Sequence, residues 1–331
     1  MEVDVRIDHW QTRYPLRITG WTFTASSVVT VELRQGRYLG RAEASGVYYK
    51  GESCDSIKAQ IEALLDELRR GLSRHELAER LPAGGARNAL DCALWDLEAK
   101  QQGRPVWWCA GLPPPAPLAT TYTLGADQPA AMVVRARAFA DARAIKIKLT
   151  GEELDAERVR AVREARPDVW LAVDGNQGFT RQRLDQLMGT FVDARVQLIE
   201  QPFAVGAEPL LADLNSPIPI AADESAQTAD DIEALVDRFD VVNLKLDKTG
   251  GLTEALVMAR RARRAGLGVM VGNMTGTSLA MAPAHALGQL CDIVDLDGPL
   301  LLQTDRMPGV YYAAGCIHCP ERVWGGATAT E

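Results

Sequence analysis

Excess positive charge is missing from this sequence. Lysine and arginine number 36 against 44 aspartates and glutamates, a net of −8, which argues against a general nucleic-acid binder. Long apolar runs are missing too. The hydrophobic stretches are short and broken by glycine, proline or charge, so no membrane span is expected. The opening MEVDVRIDHW lacks a basic segment followed by an apolar core, so no signal peptide is visible and a cytoplasmic setting is expected. Cysteine is sparse and scattered, at 54, 92, 109, 291, 316 and 319, and reads as free thiols rather than a disulfide framework. Cys316 and Cys319 form a CxxC around His318, but no second pair accompanies it, so packing is the expected role. The one basic run, ARRARRAG at 259–266, falls on a helical pattern and reads as a solvated face. What remains is an ordinary globular composition over 331 residues, 47% hydrophobic and 24% charged, long enough for two domains.

The chain changes pattern once. Residues 1–50 carry β-rich runs, with a hairpin in SSVVTVELRQGRYLGRAEA. Helical spacing follows through SIKAQIEALLDELRRG, stopped at Gly71, and through ARNALDCALWDLEAKQQG. Then GLPPPAPL at 111–118 interrupts regular structure as a linker, because proline fixes the backbone. An α+β capping domain is expected over 1–112. Beyond it, short apolar runs alternate with helical segments: TYTLG, AIKIKLT, VWLAVDGN, VQLIEQP, IPIAADES, VVNLKLDK, GVMVGNM and DIVDLDGP. Eight strand–helix units imply a (β/α)₈ barrel over 113–331, its C-terminal segment returning toward the cap. A doubly wound sheet is the runner-up. It would need a glycine fingerprint after its first strand, and none is visible.

Strand alternation then singles out side chains. In DVVNLKLDKTGG at 240–251, Val242, Leu244 and Leu246 share one face, and Asn243, Lys245 and Asp247 share the other. An outward apolar face would pack on helices, and the polar face would enter the barrel mouth. The other runs behave alike. The second offers Lys146 and Lys148 on one face. The third, fourth and fifth end in Asp174, Glu200 and Asp223. The eighth carries Asp295 and Asp297. One such acid reads most simply as a salt bridge or helix cap. Three at consecutive strand ends would repel one another without a cation. Oxygen donors without His or Cys suit Mg²⁺ best, then Mn²⁺, then Ca²⁺. Cations around Lys148 and Lys245 should lower a lysine pKa toward neutrality and make it a usable base.

These residues lie in motifs that resemble the enolase superfamily, in its muconate-lactonising-enzyme subgroup and its dipeptide epimerases of the L-Ala-D/L-Glu type. The carriers are ARNALDCALWDLEAKQQGRPVW in the cap and KIKL, VDGNQGF, IEQP, ADES and NLKLDKTGG in the barrel. The resemblance implies a modified (β/α)₈ barrel and an isomerase. It would invert the α-carbon of a dipeptide's C-terminal residue by two-lysine 1,1-proton transfer through an enediolate, with one Mg²⁺ per subunit. It implies Asp174, Glu200 and Asp223 as metal ligands and Lys148 and Lys245 as acid/base groups. Lys146 would help hold the substrate carboxylate, and Asp295 and Asp297 would grip the free ammonium. Thr123, Asn273 and Thr275 would line the substrate site. Loops at 15–25 and 45–55 would close over it. A small-molecule dipeptide, no nucleic acid, no membrane and a homo-oligomer are expected. Alternatives on the same scaffold are N-acylamino acid racemase, o-succinylbenzoate synthase or a muconate cycloisomerase-like enzyme, whose substrates lack an ammonium. A non-catalytic barrel is disfavoured by the intact lysines and acids. The chain departs from the pattern at Gly276, where many members have glutamate, and at Gly20, where an arginine can stand for a glutamate side chain. Arg17 and Lys50 are the remaining candidate cationic partners there. His285 reads as helix packing, and Trp107 and Trp108 as packing at the domain junction.

Overall fold

The computed structural model describes residues 1–328. Three antiparallel strands open the chain: β1 Glu2–Ile18, β2 Trp21–Gln35 and β3 Tyr38–Ala44. The β1–β2 register slips between Gln11 and Leu16. Such an irregularity bends a ribbon, and here the far end of the ribbon reaches the barrel. The helical run after β3 divides into Cys54–Glu62, Leu65–Arg70 and Arg74–Arg80, the last capped by Ser73 and Glu76. Helix Gly85–Gln102 then packs on β2 and β3, burying Ala89, Leu90, Ala93 and Leu97 among Val31, Leu33 and Ala42.

The short strand β4 Leu118–Ala119 precedes an eight-stranded parallel sheet that curls into a barrel. Its members are β5 Thr121–Leu124, β6 Ala144–Lys148, β7 Trp170–Asp174, β8 Leu198–Glu200, β9 Ile220–Ala222, β10 Val241–Leu244, β11 Gly268–Val271 and β12 Ile293–Val294. Side-chain alternation separates two environments. Ile145, Ile147, Leu149, Leu171, Val173, Ile199, Val242 and Leu244 point outward into the helix-covered core. Inward, Ala172, Leu198, Ala221, Val241 and Met270 form a separate apolar plug with Trp170 and Ile293. One inward step toward the C-terminal ends, the same strands present Asp174, Glu200, Asp223 and Asn243 instead. An apolar floor thus underlies a polar mouth.

Strands β12 and β5 close the ring through side chains rather than a ladder. Asp297 Oδ2 accepts the backbone N–H of Thr123 at 2.6 Å, Thr120 Oγ1 accepts that of Leu296 at 2.8 Å, and the Thr121 hydroxyl bonds Asp295. Between β9 and β10 the helical layer shrinks to a 3₁₀ turn Ala229–Asp231 and one turn Ile232–Leu235. Extended Val236 (ψ 143°) and left-handed Asp237 (φ 65°) end it. Strands β13 Tyr311–Ala313 and β14 Cys316–His318 pair together and onto β4. The tail returns to the cap helix, where Gly325 N–H donates to Asp96 Oδ1 at 2.8 Å. All six cysteines are free thiols, and no helix among the described residues is long and apolar enough to cross a membrane.

Cap and barrel are joined by buried carboxylates. Asp247 Oδ1 accepts the N–H groups of Ser45 and Gly46 at 3.0 and 2.9 Å. Asp91 takes the N–H and hydroxyl of Thr253 at 3.0 and 2.5 Å. Glu43 takes Thr277 N–H at 2.7 Å and Arg306 Nε at 2.8 Å. The tryptophans contribute less to this junction than the sequence suggests. Trp108 is 51% exposed beneath the Arg104 guanidinium, and half-buried Trp107 donates to Glu321 at 3.1 Å. A four-residue helix, Val106–Cys109, has room to bury only Val106.

His285 does pack, as expected: it is buried in helix Ser278–Gly288, and its Nε2 has no partner. Burial holds its pKa down to about 4, against 6.5 ordinarily. Between those values the unfolded chain binds a proton that the folded chain does not, so stability falls as pH drops through that window. His285→Gln should remove roughly 3 kcal/mol of the acid destabilisation between pH 7 and 4. Urea unfolding of both proteins across that range measures it. Parallel pH profiles would contradict the assignment.

Candidate active site

The ladder registers bring the acids together. Lys148 stands beside Asp174, and Asp174 beside Glu200, across β6, β7 and β8. Asp223 follows β9 directly. One carboxylate oxygen from each of Asp174, Glu200 and Asp223 lies within 4.8 Å of the others, and all three side chains are buried.

Each acid is met by an ammonium or amide. Lys148 Nζ is 2.5 Å from Asp174 Oδ2, and Lys245 Nζ is 2.5 Å from Asp223 Oδ2. Lys146 Nζ donates to Glu200 Oε2 at 3.1 Å and also to Asp295. Asn243 Nδ2 donates to Glu200 Oε1 at 2.7 Å. Lys248 Nζ donates to Asp223 Oδ1 at 2.6 Å and to the Asn243 carbonyl at 2.9 Å. Glu224 is buried beside this group, and Asn176 Nδ2 reaches it at 3.4 Å.

Six buried carboxylates (Asp174, Glu200, Asp223, Glu224, Asp295, Asp297) therefore face four buried lysines (Lys146, Lys148, Lys245, Lys248). Fully ionised, they leave two negative charges uncompensated. The strain shows in titration. Burial, reinforced by Asp174 and Asp223, pushes the Glu200 carboxyl up to about 7. Burial and Asp223 push Glu224 up to about 8. Burial and Asp295 raise Asp297 to about 6. An all-oxygen donor set with two surplus negative charges fits a hard divalent cation. Without a metal ion, Lys245 differs from the expectation of a lowered value. Burial alone would lower Lys245, but Asp223, Glu200 and Glu224 outweigh it and hold the ammonium well above its ordinary value. Lys146 is likewise raised by Asp295, Glu200 and Asp174. At Lys245 and Lys146 the chain's own charges favour the ammonium, whereas burial lowers Lys248; lowering Lys245 requires the added charge of a metal ion.

The remaining candidates group around this centre. β12 ends at Val294, so Asp295 and Asp297 lie beyond it rather than on a strand face, and both engage the β5 side of the seam. The Thr123 backbone is part of that contact. Asn273 Nδ2 donates to the Asp295 carbonyl at 2.6 Å, and the Thr275 carbonyl accepts the Ser26 hydroxyl. A cavity of about 160 Å³ contains Lys148, Lys245, Asn176, Asn273 and Thr275, with cap residues as its roof. Residues 16–27 and 45–48 provide that roof; they overlap the expected segments 15–25 and 45–55, but the first is the end of the β1–β2 ribbon rather than a loop and reaches on to Ser27. Arg17 turns away to Glu152, and Lys50 is exposed outside the lining. Beside Gly276, where a β-carbon would lie 3.1 Å from Glu43 Oε1, the cap supplies a carboxylate next to the barrel backbone.

Sequence reasoning missed Lys248, Glu224 and Asn176. Asn243 was visible on the Lys245 face. Lys248 was not, because the strand gives way at Lys245 to a one-turn helix, Leu246–Thr249, which swings it back under Asp223.

The sequence matches two family profiles: "Mandelate racemase / muconate lactonizing enzyme, N-terminal domain" over residues 1–111 and "Enolase C-terminal domain-like" over 130–323. It is 38% identical over 318 residues to the L-Ala-D/L-Glu epimerase of Escherichia coli (strain K12), covering 96% of this chain and 99% of that protein. Among solved structures it resembles an enolase family member from Agrobacterium tumefaciens with homology to dipeptide epimerases, which holds sodium and L-Ala-L-Glu. The TM-score is 0.95 at 40% identity, over 98% of this chain and 99% of that one. It also resembles the dipeptide epimerase of Methylococcus capsulatus complexed with Mg and L-Arg-D-Lys, with TM-score 0.88 at 32% identity over 96% of both chains.

Lys248→Met should leave Asp223 undercompensated in a buried site and cost roughly 3–5 kcal/mol in urea unfolding, as breaking a buried pair does. A cost below about 1 kcal/mol would show that Lys245 alone neutralises Asp223.

Proposed function

The chain belongs to the mandelate racemase / muconate lactonizing enzyme family, with its enolase-like C-terminal barrel, and from that premise we propose a Mg²⁺-dependent dipeptide epimerase. It is an isomerase that inverts the α-carbon of a dipeptide's C-terminal residue. The observation that carries this reading is the pairing of Lys148 and Lys245 with different acids of one cluster. They come from β6 and from the end of β10, four strands apart in an eight-stranded ring. Amines so placed approach one carbon from two faces.

We assign Asp174, Glu200 and Asp223 to the metal ion. When bound, the ion supplies positive charge to the substrate carboxylate as negative charge builds there. One lysine, as free amine, takes the α-proton, and the other, as ammonium, delivers a proton to the opposite face. Their roles exchange with the starting stereoisomer. Asn243 and Lys146 fix Glu200, and Lys248 fixes Asp223, so the acids are oriented before substrate arrives. Asp295 and Asp297 offer charge-assisted acceptors to the substrate ammonium. That pair favours dipeptides over N-acylated amino acids or cyclic acids, which carry no ammonium. Thr123, Asn273 and Thr275 complete the substrate wall. A cytoplasmic setting is supported by the six unpaired thiols.

The test is exchange in D₂O with Mg²⁺, followed by mass spectrometry and chiral analysis. Lys148→Ala should lose α-proton exchange from one enantiomer of the C-terminal residue by on the order of 10²–10⁴-fold, and Lys245→Ala from the other. Full epimerisation by both variants would end the two-base scheme.

A further inference from the structure

The epimerase reading fixes three directions at the α-carbon but leaves the side chain open. The α-proton faces a lysine, the carboxylate faces the three acids, and the amide runs toward Asp295 and Asp297. The side chain is left with the roof of the cavity that holds Lys148 and Lys245. Resting on that reading, we infer that this enzyme epimerises residues with uncharged, apolar side chains, aliphatic or aromatic, and rejects glutamate and lysine at that position.

The roof is built from Leu16 and Ile18 of β1, Phe23 of β2, Tyr48 after β3 and Met274 after β11. Its other polar members, apart from the two lysines, carry only hydroxyls and amides. The aromatic side is held rigid. Tyr48 meets Phe23 and Trp21 edge-on at 5.2 Å each, and Trp21 stacks on Phe23 at 6.2 Å. Tyr49 braces Tyr48 from behind, again at 5.2 Å. Burial pushes the Tyr48 hydroxyl above its ordinary pKa, so it stays neutral. A preformed apolar wall binds apolar groups without reorganising.

Charge argues the same way. Among the described residues, Lys148 and Lys245 are the only cations in the lining, and each already has a carboxylate. Two guanidinium groups of the surroundings are engaged elsewhere: Arg17 with Glu152, and Arg306 with Glu43 and Asp8. A substrate side-chain carboxylate would lose its water and gain only neutral hydroxyl and amide donors, with no cation to pair it, or would draw a lysine from the α-carbon. A cationic side chain would meet Lys148 and Lys245. Neither penalty applies to leucine or phenylalanine.

The test measures kcat/KM by deuterium exchange for L-Ala-L-Leu, L-Ala-L-Phe, L-Ala-L-Glu and L-Ala-L-Lys on the Mg²⁺-loaded full chain. Leu or Phe should exceed Glu and Lys by at least about 100-fold. Phe23→Arg, which places a guanidinium in the roof, should shift the Glu-to-Leu ratio toward Glu by about 10-fold or more. Exchange of L-Ala-L-Glu by the unmodified enzyme as fast as of L-Ala-L-Leu would overturn the inference and leave the epimerase intact. No exchange from any of the four dipeptides would overturn the epimerase and this inference with it.

Discussion

Surplus negative charge in a buried space is the constraint on which this structure turns. Six carboxylates and four lysines share the mouth of the barrel under the cap. Burial alone would protonate some of these acids, and Glu200 and Glu224 are already pushed toward neutral pH. The arrangement becomes comfortable only with a cation at the acid cluster. The same positive charge would move the lysines in the direction base catalysis needs, opposite to the bias of the carboxylates alone. Metal binding and base strength are thus two readings of one electrostatic balance.

The barrel makes that balance possible by alternation. On each of β7, β8 and β9 an apolar inward residue (Ala172, Leu198, Ala221) precedes an acid by two positions. The first seals the floor and the second arms the mouth. The outward residues between them tie the strand to the helical shell. A slip of one residue would exchange these environments, so the fold and the site are specified together. This is why so much of the centre was legible in the sequence. Lys148, Asp174, Glu200 and Asp223 end or follow short apolar runs, and side-chain alternation along parallel strands of one barrel puts them on its inward face.

Legibility ended where the period ended. Lys248 reaches Asp223 from a one-turn helix that no strand pattern announces. Asp295 and Asp297 look like strand residues in sequence but lie past β12, where they also lock the seam against β5. The sequence could not show that Lys146 would be held by Asp295 and Glu200, because that contact spans the barrel. The cap's place over the mouth was expected from segments 15–25 and 45–55, but the side chains that meet there were not. Leu16, Phe23 and Tyr48 meet over the mouth only because the β1–β2 ribbon bends and β3 is anchored by Glu43 and Asp247.

The most direct measurement is calorimetric titration of Mg²⁺ into the purified chain and into Glu200→Gln, with no substrate present. The account predicts one ion per chain in the first case, and binding weakened at least about 10-fold in the second, since a ligand is removed from the centre of the cluster. Equal affinity in both proteins would contradict the assignment of the acids, and with it the electrostatic balance from which the rest follows.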